Sequence, residues 1–179
     1  LIGYRGPALG DAEHATLVVL NEVLFGGRAA RLYRELIIAK ESCTEVRGWV
    51  STFRDPGLYE VYCTARPGIG ADAILATLDE QIERVKNELI EPEERDRAKA
   101  RLELGLLQSL ETTSGKAEQI GFYDTVLGDP TAAFRRLERY RRVTAGELRT
   151  AARRWFVTEA RTIIKVLPEP ETEAEAVSA

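Results

Sequence analysis

The sequence predicts an α+β fold, a two-layer sandwich in which one mostly antiparallel sheet is covered by helices. Three observations predict it. A strand–turn–strand pattern fills residues 44–65, helical periodicity without strands runs from Ile74 to Trp155, and single strand-like segments stand near the two ends of the chain. Strands so few and so widely separated do not suit a doubly wound parallel sheet, which alternates strand and helix. The predicted order is β-α-α-β-β, then five helices, then β.

"LIGYRGP" (1–7) reads as a short strand closed by Gly6 and Pro7. A helix follows over Asp11 to Phe25, with Asp11 and Glu13 placed where the positive end of the helix dipole favours acids. Its apolar positions include Ala15, Val18, Val19, Leu20, Val23 and Leu24, a broad buried stripe. Gly26-Gly27 stops it, because glycine accepts the left-handed cap that side chains resist. A second helix is expected from about Ala29 to Lys40.

The segments "TEVRGWVSTF" (44–53) and "LYEVYCTA" (58–65) are rich in β-branched and aromatic residues, and "RDPG" (54–57) supplies turn chemistry between them. After "RPGIG" (66–70), Ile74, Leu78, Ile82, Val85 and Leu89 recur at helical spacing. "EPEE" (91–94) starts the next helix with Pro92 in its first turn; that helix carries Ala98, Leu102, Leu106, Leu107 and Leu110. "TTSG" (112–115) interrupts, and a further helix runs to about Leu127. Asp129-Pro130 reads as a cap and first residue of a short helix. Thr144 with Glu147 forms a capping box for a helix ending near Trp155. "ARTIIKVLP" (160–168) is a final strand. Residues 1–168 are thus expected to form a single domain, and "EPETEAEAVSA" (169–179) an acidic disordered tail.

Composition narrows the function classes. With 44% hydrophobic and 30% charged residues, the chain can build a core under an ordinary soluble surface. No run approaches the roughly eighteen apolar residues of a membrane-spanning helix. A net charge of −4 does not attract polyanions. The chain opens on Leu1 and contains no Met, which reads as a fragment or a processed product.

Candidate chemistry reduces quickly. His14 is the one histidine, and zinc motifs of the H-E-x-x-H kind or its inverse need two on one helical face. Beside Glu13 in a first helical turn, it is expected to be solvated. Cys43 and Cys63 lie in the two hairpin strands, where a simple register would not bring them face to face. Both are expected to be half-buried structural thiols, since a strand offers neither a basic partner nor a helix N-terminus. "GGRAAR" (26–31) has glycines and arginines near a helix start but lacks a preceding strand and phosphate-loop spacing, so a helix corner is favoured. The arginines at 135, 136, 139, 141, 142, 149, 153 and 154 spread over two helices and read as a salt-bridged surface rather than a nucleic-acid patch. Glu91, Glu93, Glu94 and Asp96 occupy a helix start, which explains them without catalysis. No catalytic, metal-ligating or substrate-binding residue is assigned.

Five stretches in order carry a resemblance: "GYRGPALGD", "LNEVLFGGRAARLYREL", "STFRDPGLYEVYCTARPG", "EPEERDRAKARLELGLLQSLETTSGKAEQIG" and "VTAGELRTAARRWF". Together, over residues 2–168, they resemble the C-terminal, non-catalytic domain of pitrilysin/insulinase-type zinc metallopeptidases, the group of mitochondrial processing peptidase and its bacterial relatives. The resemblance implies a homologous N-terminal domain with an H-x-x-E-H zinc motif, so zinc belongs to a domain outside this sequence. It also implies two such halves, in one chain or two subunits, closing as a clamshell around a peptide substrate, with a dimer as the expected assembly. Domains of this family that grip substrate carry an Arg on the "RLYREL" helix and a Tyr seven residues later. Here those positions hold Ile37 and Thr44. The resemblance therefore implies a domain that shapes the chamber without gripping substrate, or alternatively an inactive structural homologue like the core subunits of respiratory complex III. The substrate stays open, as does the compartment, with bacterial cytoplasm and periplasm both fitting a soluble chain.

Overall fold

A computed structural model gives the fold and describes residues 1–167. The tail predicted at 169–179 lies outside the described residues. Four strands form one antiparallel sheet in the order β2-β3-β1-β4: β1 (Ile2–Gly6), β2 (Cys43–Val50), β3 (Gly57–Ala65) and β4 (Thr162–Ile163). The helices are α1 (Ala12–Phe25), α2 (Arg31–Tyr33), α3 (Ala71–Asn87), α4 (Pro92–Ser109), α5 (Thr113–Leu127), α6 (Ala132–Arg142) and α7 (Ala145–Trp155). The architecture is the expected α+β sandwich, with the helices on one face of the sheet.

The register sorts side chains between the faces. Val46↔Cys63, Gly48↔Val61 and Val50↔Tyr59 point inward, while Arg47↔Tyr62 and Trp49↔Glu60 point outward. On the inner side α1 lies across β2, and Leu17, Val19 and Leu20 have no exposed surface. Each such side chain removed from water contributes about 1.5–3 kcal/mol. Gly48 permits this contact, because a Cβ there would meet Asn21 Oδ1 at 2.4 Å and the Phe25 ring at 2.5 Å. Tyr4, Tyr59 and Phe156 join β1, β3 and the end of α7 in an aromatic cluster with centroids 4.9–6.4 Å apart.

Several elements differ from the sequence reading. The helix expected over 29–40 begins at Arg31 and becomes a π-helix over Arg34–Ala39, where the Lys40 N–H donates to Glu35 O. Leu32 and Leu36, four residues apart, both reach the core. The first hairpin strand stops at Val50, because Ser51 turns inward and its Oγ accepts from Leu58 N at 3.0 Å. Helix α3 ends before Leu89: Glu88 is extended, the helical phase is lost, and Ile90 rather than Leu89 enters the core. Asp129-Pro130 forms a turn instead of a cap. Asp129 Oδ1 accepts from Thr131 N at 3.0 Å, and Thr131 is the cap residue of α6. The final strand covers only Thr162–Ile163, paired with Gly3 and Ile2, and Arg161 just before it pairs with Asp79 and Tyr4. The capping box at Thr144 and Glu147 forms as read.

Candidate functional site

The open face of the sheet is the candidate site. Among the described residues helices cover the inner face only, and the outer face presents Trp49 and Arg47 from β2, Leu58, Glu60 and Tyr62 from β3, and Arg5 from β1. Trp49 is 56% exposed and Leu58 47%, an unusual fate for large apolar residues on a regular sheet. Phe53, in the hairpin turn, is 60% exposed. The Arg47 guanidinium sits 4.6 Å from the centre of the Tyr62 ring, which orients both groups. Arg5 faces Leu58, and Gly3 faces Glu60, so the side-chain layer is low between the aromatics and β4. Such a surface offers apolar contact, stacking and charges of both signs. None of its residues forms a nucleophile–base pair.

The two family positions lie on the π-helix before β2 and at the start of β2. Ile37, on the π-helix, is half-buried and packs against the hydrophobic core. Thr44 is exposed where β2 begins, and its Oγ1 donates to Thr64 O at 3.4 Å. Gly26-Gly27 forms a corner, as the residues suggested. Gly27 has φ +81°, and the Arg101 guanidinium packs within 2.9 Å of where its Cβ would stand while donating to Glu22 at 3.1 Å.

His14 departs most from expectation, being fully buried instead of solvated. Its Nε2 lies 2.9 Å from Ser51 O and its Nδ1 3.0 Å from Arg136 Nη2. A carbonyl only accepts and a guanidinium only donates, so the ring is neutral with its proton on Nε2. Burial, and then the Arg136 charge, pushes its pKa down to about 4. The signal was in the sequence: His14 leads the series His14, Leu17, Leu20, Leu24 at helical spacing, in phase with the apolar stripe.

A bulge near Thr44 shifts the strands so that Cys43 pairs with Ala65 and Cys63 with Val46. Both thiols therefore face inward as diagonal neighbours, closer than a simple register implied, and Cys43 is fully buried rather than half-buried. The Cys63 thiol beside it lowers the Cys43 pKa; the same contact and then burial raise that of Cys63. Of the arginine run, Arg136 is buried, Arg141 binds Glu138 and Glu103, Arg154 binds Glu13 at 2.8 Å, and Arg153 donates to Lys86 O at 2.7 Å. These contacts spread the run around the helices. In the α4 acidic cluster, Glu94 accepts two bonds from Arg31 at 2.8 and 2.7 Å, a bracket between α2 and α4.

Zinc does not fit this set. Both His14 nitrogens are committed, and among the described residues no three of His, Cys, Asp and Glu converge as a metal site.

Comparisons with known proteins follow the same line. The sequence profile of the peptidase M16 inactive domain matches residues 1–102. An uncharacterized zinc protease of Streptomyces coelicolor is 29% identical over 153 residues, covering 86% of this chain and 33% of that protein. The chain spans about a third of the length of the curated relatives it matches. Among solved structures, a protease from Helicobacter pylori superposes with TM-score 0.83 at 21% identity, covering 89% of this chain and 38% of that one. An inactive peptidase domain from Bordetella parapertussis gives 0.78 at 21% identity, over 95% of this chain and 92% of that one. A chain in complex III of Candida albicans gives 0.74 at 14% identity, covering 86% and 39%. At these identities the structural likenesses establish the fold.

Proposed function

The chain belongs to the peptidase M16 inactive-domain family, and from that premise we propose that it is the non-catalytic domain of a zinc metalloendopeptidase. In this reading it walls part of a peptide-binding chamber and holds a partner domain or subunit, while hydrolysis occurs at a zinc site in that partner. The carrying observation is the one-sided sheet, whose open face exposes Trp49, Leu58 and Tyr62. Exposed aromatics flanked by Arg47 and Glu60 suit an extended peptide, which offers side chains of varied character and no single charge to match. The domain boundary at 168, with a separate acidic tail, belongs to the same proposal.

Ile37 and Thr44 support a wall rather than a gripping role. Ile37 has no polar atom, and the Thr44 hydroxyl is spent on Thr64 O. The test is the double substitution Trp49→Glu with Leu58→Glu in the full-length protein. Both residues are exposed, so folding is retained, and the expected result is a raised KM for peptide cleavage. An unchanged KM contradicts the chamber-wall reading.

A second reading is favoured by the complex III likeness: an inactive homologue that serves assembly. The same assay separates the two. A full-length protein that holds zinc and forms its complex, yet cleaves no peptide, supports the assembly role.

A further inference from the structure

The buried pair His14 and Arg136 joins the start of α1, the segment after β2 and helix α6. His14 stands at the start of α1, and its Nε2–H donates to Ser51 O at the end of the β2 segment. Arg136 comes from α6, and besides Nδ1 of His14 it reaches Leu9 O at 3.3 Å and the Tyr140 hydroxyl at 3.0 Å. The Tyr123 ring of α5 lies 5.8 Å from the same guanidinium. Arg136 is only 6% exposed, and none of its described partners is a carboxylate. Its charge is held by neutral acceptors alone, and His14 is the acceptor on α1.

Other groups around His14 do not substitute for that arrangement. On its own helix start, Asp11 exerts a weaker opposing pull, and Glu13 is engaged by Arg154 of α7. From β2 only the Ser51 carbonyl faces the ring, from α6 Arg136 with Tyr140, and from α5 Tyr123 beyond them. A second ring proton would sit on Nδ1 and point at an Arg136 N–H across 3.0 Å. Two donors and two positive charges cannot share a buried contact, so one partner must leave. Helix α6 is the freer one. The α5 helix packed on it has no buried residue, whereas α1 is fixed by its stripe against the sheet.

We propose that the His14–Arg136 contact is an acid-labile latch, which holds the α5–α6 unit on α1 when His14 is neutral and releases it when His14 takes up a proton. Release would also reshape the apolar groove of about 210 Å³ between α4, α5 and α6, lined by Leu110, Ile120, Ala133 and Phe134. In the open form His14 regains its ordinary pKa of 6.5, against about 4 when closed. The open population therefore rises up to about tenfold for each pH unit below 6.5 and levels off near pH 4.

Hydrogen exchange on the full chain, corrected for the intrinsic pH dependence of exchange, tests this. Protection of the α5 and α6 amides should fall up to roughly a hundredfold between about pH 6.5 and 4.5 and stay well below that of α1 and β3, whose exchange follows global unfolding. His14→Gln should remove the pH dependence. Should that variant not fold, the NMR titration of the sole imidazole decides instead: it should stay neutral well below pH 6, with the Tyr123 and Tyr140 signals moving when it titrates. Equal protection of α5, α6, α1 and β3 across this range, a pH dependence retained in His14→Gln, or an imidazole titrating at its ordinary value would each overturn the latch.

Discussion

Helices α1 and α5 are almost the same length, 14 and 15 residues, and are opposite in burial. Eight residues of α1 are buried. No residue of α5 is, and its Ile120 and Phe122 remain exposed, as do Leu104 and Leu107 of α4. Helix α1 is held by packing against the sheet. Helix α5 is held by its ends, with Gly115 N donating to the Thr112 hydroxyl at 3.0 Å and Gly128 closing it at φ +68°, and by its contact with α6. One chain thus combines a scaffold fixed by its core with a hairpin whose position rests on few contacts.

Substitutions can break or sharpen that contrast. Leu17→Ala, in the fully buried stripe of α1, should cost about 2–5 kcal/mol in denaturant unfolding. Acidification comes next. Between pH 6.5 and about 4 the unfolded chain carries a proton on His14 that the folded chain does not. Stability from this group is therefore complete above 6.5, falls as pH drops, and is lost by about pH 4, a change of roughly 3 kcal/mol at most. Unfolding midpoints measured across that range should show it, and His14→Gln should flatten the profile. Gly48→Ala would push a methyl group into Asn21 and Phe25 where α1 crosses β2, at a cost of about 1–3 kcal/mol. Glu41 follows the π-helix with φ 46°. Glu41→Gly should relieve that conformation and raise stability by up to about 1 kcal/mol in thermal unfolding. Smallest of all, Ile120→Ala on α5 should stay within about 0.5 kcal/mol of the parent. A large loss there would mean that α5 shares the core after all.

The same contrast governs how much the sequence could reveal. Local chemistry read correctly wherever the chain decides its own conformation: the "RDPG" hairpin, the box at Thr144 and Glu147, and the stripe through Ile74, Leu78, Ile82 and Val85. It failed where a distant partner decides. The π-helix at Arg34–Ala39 stands where the sequence predicts a continuous α-helix, and nothing in "RELIIA" alone announces it. Ile90 replaces Leu89 because Glu88 breaks the helical phase. His14 looked solvated because its partners, Ser51 and Arg136, lie 37 and 122 residues away. The open sheet face was not legible in the sequence: Trp49 and Tyr62 stand on different strands, and only the register places them on one side.

The central claim is that this domain is a frame, with the metal and the chemistry in its partner. Zinc content by elemental analysis tests it most directly, comparing this chain purified alone with the full-length protein. The account predicts no stoichiometric zinc on the chain alone and zinc on the full-length protein that disappears when the partner domain is removed. Stoichiometric zinc bound by this chain alone would contradict it.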